Sequence, residues 1–132
     1  MLKISTKSQY GLRAMVFLAK CGERISSLKL ISAKENISFD YLEKIISRLE
    51  KAGLTRSKKG SQGGYVLAKP PQRIKIGEII RALEGDAGLV KCTTKAGHCP
   101  LEKKCFAKKF WGKLQKSLNS ALDSLTLADL IK

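Results

Sequence analysis

Histidine, acidic side chains and long apolar runs are all scarce in this 132-residue sequence. No Ser-His-Asp set can be placed around the single histidine, and there is no C-x-x-C pair, so we do not expect an enzyme. The apolar run at residues 14–19 is bracketed by Arg13 and Lys20 and falls far short of the roughly 20 residues of a membrane span. It is also too short for the core of a signal peptide. We therefore expect a cytoplasmic protein with no membrane partner.

Basic side chains, in contrast, are abundant. The chain has 26 Lys+Arg against 11 Asp+Glu, which gives a formal net charge of +15. A polyanion such as nucleic acid is the simplest partner for such a surplus. The hydrophobic content of 43% is enough for one folded domain with a modest core.

Residues 37–53 carry the signals of one amphipathic helix. Ser38 is a candidate N-cap, and Asp40 lies in the first turn, where the helix dipole favours a carboxylate. Gly53 is a candidate left-handed stop. The packing face recurs at helical spacing and holds Tyr41, Leu42, Ile45, Ile46, Leu49 and Ala52. The opposite face is mostly polar and mixed in charge, and holds Phe39, Asp40, Glu43, Lys44, Ser47, Arg48 and Lys51.

A basic, glycine-rich hairpin is predicted directly after this helix. Residues 54–57 and 65–68 suit two short strands around a tip at residues 58–64, where glycines permit a tight backbone. A helix followed by such a hairpin describes the recognition helix and wing of a winged helix-turn-helix. The alternative is a plain αββ unit whose lysines serve solubility alone.

Candidate DNA contacts lie on both elements. Glu43 can accept a hydrogen bond from a cytosine amino group, while Lys44 and Arg48 can reach guanine or phosphate. The lysines of the wing can enter a minor groove, where a glycine allows close approach of the backbone. The full candidate set is Ser38, Asp40, Glu43, Lys44, Ser47, Arg48, Lys58, Lys59 and Gly60.

Two helices are predicted before the recognition helix and one after the hairpin. The first two run between cap signals, from Ser5 or Thr6 to Gly22 and from Ser26 or Ser27 to Asn36. We expect Cys21, at the end of the first, to be a small core residue. After Pro70-Pro71, the apolar pattern of residues 74–83 and the stop at Gly85 outline a helix that closes the core.

The last part of the chain carries a helical seam. Its apolar residues recur at spacings of four and three, at Ala107, Trp111, Leu114, Leu118, Ala121 and Leu125. In so small a protein, we expect this seam to pair with the same helix of a second subunit. The alternative is that it packs onto its own domain. Thr126 can cap a last turn at residues 127–131.

Cys92, Cys99 and Cys105 fall within a short segment in which no helix is predicted, and three thiols so close in sequence can converge on one centre. Thiolates favour zinc or an iron-sulfur cluster, although the C-x2-C knuckle of common zinc sites is missing. His98 is adjacent to Cys99, so the two side chains diverge and His98 is a poor ligand for the same metal. Surrounding lysines would offset the negative charge of a thiolate-ligated cluster, or simply belong to a basic surface.

Several motifs run in order along nearly the whole chain. They are Lys3-Ile4-Ser5-Thr6-Lys7 with Tyr10 and Arg13-Ala14-Met15; Ile37-Ser38-x-x-Tyr41-Leu42-Glu43; Leu49-x-x-x-Gly53-Leu54; Gly60-x-x-Gly63-Gly64-Tyr65-x-Leu67; Ile79-Ile80-x-Ala82-Leu83-Glu84-Gly85; the three clustered cysteines; Trp111; and Leu125-Thr126-Leu127-Ala128-Asp129-Leu130. Together they resemble the Rrf-type winged helix-turn-helix transcriptional regulators. That family includes iron-sulfur cluster regulators, nitric-oxide-sensing repressors and repressors of cysteine metabolism.

The resemblance implies a homodimeric repressor or activator, of which we expect a repressor, that binds a near-palindromic double-stranded operator. Cys92, Cys99 and Cys105 match the ligands of an iron-sulfur cluster, 2Fe-2S or 4Fe-4S, that tunes DNA affinity in response to redox state, iron-sulfur status or nitric oxide. The expected fold is mainly α with a small β hairpin. It comprises a winged helix-turn-helix domain at residues 1–85, a cluster loop at 86–105, and a dimerisation helix with a terminal turn at 106–132.

The fourth cluster ligand does not carry over from the family. Lys108 stands where one branch has a histidine, and Gln9 stands where another has an acidic residue. His98, Glu102, a side chain of the partner subunit or an exogenous ligand can complete the site. Two other functions therefore stay open: a cluster-independent regulator of the same fold that senses thiols or a small molecule, and a structural zinc protein that binds nucleic acid.

Overall fold

The structure is a computed structural model that describes residues 3–60, 63–85, 88–90 and 105–132. In these ranges the elements are α1 (Thr6–Cys21), α2 (Leu28–Glu35), α3 (Phe39–Lys51), β1 (Thr55–Lys58), β2 (Gly64–Leu67), a 3-10 turn (Pro71–Arg73), α4 (Ile76–Glu84), α5 (Lys108–Ser124) and α6 (Leu127–Leu130). The prediction of a mainly α fold with a small β hairpin is confirmed.

Serine caps begin the first three helices as the sequence predicted. Ser5, Ser27 and Ser38 each accept a hydrogen bond from the backbone N–H three residues later, which satisfies one of the free donors of the first turn. Asn36 adopts a left-handed conformation between α2 and α3, so the chain turns sharply there. Helices α2 and α3 therefore form a helix-turn-helix.

The core lies where α1, α3 and α4 pack together, with α2 and α6 at its sides. Its fully buried members include Met15, Leu18, Ile31, Leu42, Ile45, Ile46, Leu49, Ile74, Ile79, Leu83 and Leu127. Two expectations were wrong. Ala52 is exposed because it stands beyond the end of α3, and Cys21 is only partly buried because it is the last residue of α1.

The wing is an antiparallel pair in which Thr55 lies opposite Leu67 and Lys58 lies opposite Gly64. The predicted strands were displaced by one residue, and Lys58 belongs to β1 rather than to the tip. The reason is local, since Leu54 closes the end of α3 by donating its N–H to the carbonyl of Leu49 (3.0 Å) and points into the core.

A backbone bridge joins the wing to the start of α2. The N–H of Ser26 donates to the carbonyl of Tyr65 (3.1 Å), and the N–H of Tyr65 donates to the carbonyl of Ser26 (2.8 Å). A Cβ at Gly64 would lie 2.6 Å from the carbonyl carbon of Ser26, so this approach requires glycine. The wing and the helix-turn-helix are thus one connected surface.

The C-terminal turn packs back into the winged domain. Ile74 was predicted to lie in the fourth helix, but it precedes α4 because Pro71 first forms a 3-10 turn. The carbonyl of Ile74 accepts from the N–H of Leu127 (2.8 Å), and the N–H of Ile76 donates to the carbonyl of Leu125 (3.0 Å). This pairing buries Leu127 in the core.

Polar contacts join helix α5 to other described parts of the chain. Arg81 on α4 donates two hydrogen bonds to the Asp123 carboxylate (3.0 and 2.9 Å), and the N–H of Leu89 donates to the Gln115 side-chain oxygen (2.8 Å). None of the residues of α5 is buried by the described part of the chain. Within the described ranges, no helix combines the length and apolar character needed to cross a membrane.

Candidate DNA interface and cysteine segment

One face of α3 is available to a ligand. Leu42, Ile45, Ile46 and Leu49 are buried in the core, whereas the polar residues Asp40, Glu43, Lys44 and Ser47 are exposed. Ser38 is exposed as well, but its hydroxyl oxygen already accepts the N–H of Tyr41 (3.3 Å). The exposed face has both acceptors and donors, which is what reading base edges in a major groove requires.

Arg48 lies on the flank of α3 that faces α4. Its Nη1 donates a hydrogen bond to the carbonyl oxygen of Leu83 (3.0 Å) in the last turn of α4. Arg48 is also exposed, so its place among the candidate DNA contacts stays a prediction. In the structure its guanidinium contacts the protein backbone.

The wing lies beside this face and is hydrogen-bonded to α3. The N–H of Ser57 on β1 donates to the Glu50 carboxylate of α3 (3.1 Å). Burial raises the pKa of Tyr65 on β2, and the carboxylates of Glu50 and Glu43 raise it further. Lys58 at the end of β1, together with Lys59 and Gly60 beyond it, is exposed.

A cleft of about 460 Å³ lies between α2, the start of α3 and the wing. Lys29 and Lys58 are among its lining residues, and Phe39 and Tyr65 provide aromatic surface there. Sequence reasoning did not single out Lys29. Its place in the first turn of α2 was an available signal, because the first helix of a helix-turn-helix crosses the DNA backbone.

Cys105 stands just before α5, where its carbonyl accepts the N–H of Lys108 (3.3 Å). Cys92 and Cys99 lie outside the described residues, as do His98 and Glu102. Gln9 is exposed on α1, and its side-chain amide donates to the carbonyl of Ile4 (2.9 Å). A metal-holding group of three His, Cys, Asp or Glu side chains is absent from the described ranges, which omit two of the three clustered cysteines.

Both ends of the segment that carries the cysteines are anchored to α5. On its N-terminal side, Leu89 is bonded to Gln115 in the middle of α5, and on its C-terminal side Cys105 leads directly into the helix. Upstream, Glu84 at the end of α4 accepts hydrogen bonds from the hydroxyls of Ser5 and Ser8, which lower the pKa of its carboxyl group. The described residues on the N-terminal side of the cysteines are thus bonded to α1 through Glu84 and to α5 through Leu89.

A helix-turn-helix with an exposed polar recognition helix and a basic wing defines a winged-helix DNA-binding protein. Residues 4–132 match the family model described as Rrf2, iron-dependent transcriptional regulator. The chain belongs to this family of transcriptional regulators.

Similar proteins span nearly the same length. The transcriptional regulator CymR of Bacillus subtilis is 44% identical over 131 residues, which cover 98% of this chain and 89% of that protein. The structure titled T. potens IscR superposes with a TM-score of 0.80 at 43% identity, covering 98% of this chain and 86% of that one. The structure of CymR, named as the global cysteine regulator of B. subtilis, has a TM-score of 0.79 at 42% identity and covers 99% and 97% of the two chains.

Proposed function

We propose that this protein is a homodimeric transcriptional repressor whose operator affinity is controlled by an iron-sulfur cluster on Cys92, Cys99 and Cys105. The cluster would report redox state, iron-sulfur status or nitric oxide. The observation that carries the proposal is that the three cysteines lie between α4 and α5 in the chain, where the described Leu89 is bonded to Gln115 of α5. That position lies between the DNA-reading domain and the helix that we assign to the dimer.

DNA recognition is supported by the exposed residues of α3 and the wing. We assign base reading to Glu43 and Lys44, which are exposed on α3, and contacts with the DNA backbone or a minor groove to the exposed Lys58 and Lys59. Lys29 extends this basic surface across the cleft. The net charge of +15 strengthens binding to any phosphate backbone, so specificity has to come from the α3 side chains.

Dimerisation is supported by the apolar surface around α5. Phe106 is 96% exposed, Phe110 is 57% exposed and Leu125 is 46% exposed, while Leu114 and Leu118 are only partly covered. An apolar patch of this kind marks an interface. Two subunits related by a twofold axis would place two recognition helices on a near-palindromic operator.

The cluster is supported by the chemistry of its donors. Cys92, Cys99 and Cys105 would hold the iron through thiolates, and Cys105 precedes a helix N-terminus, where negative charge is favoured. Iron bound by three thiolates with an exchangeable fourth ligand supplies a centre that reacts with oxygen or nitric oxide. A protonated Lys108 cannot act as that ligand, and Gln9 is a weak one. The 2Fe-2S and 4Fe-4S types both fit three cysteine donors.

Anaerobic reconstitution with iron and sulfide tests the cluster. We expect a brown protein with iron and acid-labile sulfide that bleaches in air, and a different operator affinity for the loaded and apo forms. Changing any one of Cys92, Cys99 and Cys105 to Ser should abolish the colour, whereas Cys21→Ser, the matched control, should not. Equal operator affinity of the loaded and apo forms, or an equal requirement for Cys21, would refute the sensory assignment.

A cluster-independent regulator of the same fold is the second candidate. The observation that favours it is the 44% identity to CymR, whose structure is named as that of a global cysteine regulator. In that case operator binding would respond to thiol oxidation or to a small molecule. Zinc without sulfide in the purified protein would instead favour a structural metal site.

A further inference from the structure

Contacts with α1 and α3 hold the last turn of α4 in place. The cysteine segment begins directly after this turn in the sequence. The Leu83 side chain is fully buried beside Gly11 of α1, and Ile45 of α3 lies beside the same glycine. The fit is tight, because a Cβ at Gly11 would overlap the Leu83 side chain and lie 3.3 Å from Cγ2 of Ile45. Glu84 is bonded to the start of α1 by two serine hydroxyls. This turn cannot move without disturbing α1 or α3.

Arg48 connects the same turn to the recognition helix. The last carbonyls of an α-helix have no partner within the helix, and a cation near them is favoured by the helix dipole. The Arg48 guanidinium satisfies one of them, the carbonyl of Leu83 (3.0 Å), and so acts as a C-terminal cap provided by α3. Arg48 and Leu83 are 35 positions apart in the sequence, and Leu83 lies two residues before Gly85.

We infer that Arg48 is a positioning residue that couples the recognition helix to the cysteine segment, and that its guanidinium is not a DNA contact. The inference rests on the proposed function, because it assigns a route by which the segment reaches DNA. A displacement of Gly85 moves the last turn of α4, because Gly85 directly follows that turn. The Arg48 hydrogen bond then carries that displacement to α3, and Leu83 and Ile45, which both lie beside Gly11, provide a second route.

The test compares operator affinity of the cluster-loaded dimer with that of the apo dimer over a series of salt concentrations. For the wild type we expect the two affinities to differ by about 5- to 150-fold, the usual range of allosteric coupling. Arg48→Met removes the donor and should bring this ratio towards one, while the slope of log K against log salt stays unchanged. Arg48→Lys keeps a cationic donor and should restore part of the ratio.

Lys44→Met is the matched control, because Lys44 lies on the exposed face of the same helix. It should weaken the loaded and apo forms alike and leave their ratio unchanged. If Arg48→Met instead keeps the wild-type ratio and lowers the salt slope by about 0.9, Arg48 is a phosphate contact and the inference is overturned. If Arg48→Met keeps both ratio and slope, the coupling is absent.

The same experiment separates failure of the inference from failure of the proposed function. Equal affinities of loaded and apo wild-type protein would remove the sensory proposal and the coupling together. A wild-type difference that survives in Arg48→Met would remove the coupling alone. Thermal unfolding of both Arg48 variants checks that a lost ratio is not a lost fold.

Discussion

Gly64 is the point where the wing meets the start of α2, and Gly64→Ala tests that junction. The new Cβ would lie 2.6 Å from the carbonyl carbon of Ser26 and 2.8 Å from Cγ2 of Ile25. Because the first of these atoms is backbone, space can come only from separating β2 from residue 26. That separation breaks the two hydrogen bonds that join Ser26 to Tyr65.

The balance of free energy is expected to be unfavourable. A backbone hydrogen bond contributes about 0.5–1.5 kcal/mol net, so the loss of two costs about 1–3 kcal/mol. Alanine recovers about 0.4–1 kcal/mol by restricting the unfolded chain. Since Ser26 is buried, its freed backbone groups are poorly solvated, and we expect the free energy of unfolding to fall by about 1–2 kcal/mol.

Urea or thermal unfolding measures this difference, with Gly60→Ala as the control in the same wing. Gly60 does not have a positive φ, and no described atom lies within 4 Å of a Cβ built there. Its replacement should leave stability unchanged or raise it by up to about 1 kcal/mol. Gly64→Ala should also bind the operator more weakly. Equal stability of the two variants, with full operator affinity of Gly64→Ala, would show that the bridge does not hold the wing.

Three further results are expected. Glu43→Ala should relax discrimination at one base pair, at a cost of about 1–3 kcal/mol for the preferred operator; equal losses on every DNA sequence in a binding titration would exclude base reading. Leu118→Asp should convert a dimer to a monomer in sedimentation at micromolar concentration, and a monomeric wild type would contradict the assignment of α5. The hydrogen bonds from Arg81 lower the pKa of Asp123. The ionised carboxylate therefore stabilises the native state at pH values above its ordinary pKa of about 3.9. This stabilisation is lost as the pH falls through the lowered pKa of the native state. Both side chains are more than a third exposed, so Asp123→Asn should cost about 1 kcal/mol or less at pH 7, and the difference from wild type should shrink below about pH 4 in urea unfolding.

Much of the local structure was readable from the sequence, because its signals act over a few residues. Ser5, Ser27 and Ser38 cap the helices that they were expected to cap, and the apolar spacing of α3 selects its buried face. Because these signals are local, the sequence also predicted which residues of α3 and the wing are exposed. The strand ends were predicted one residue off. The position of Leu54 depends both on α3, which precedes it, and on the core in which its side chain is buried.

Long-range contacts were decided only by the tertiary structure. The helical pattern of α3 does not show that Arg48 donates a hydrogen bond to the carbonyl of Leu83, because that contact depends on where α4 packs. In the sequence, Gly64 is one of several glycines in the predicted hairpin tip. Only the tertiary structure shows that it lies against the backbone of Ser26. The sequence by itself determined the helices, the wing and the basic charge through local propensity and periodicity. The fold decided which polar groups remain available to DNA, because packing brings residues 35 or more positions apart within hydrogen-bonding distance.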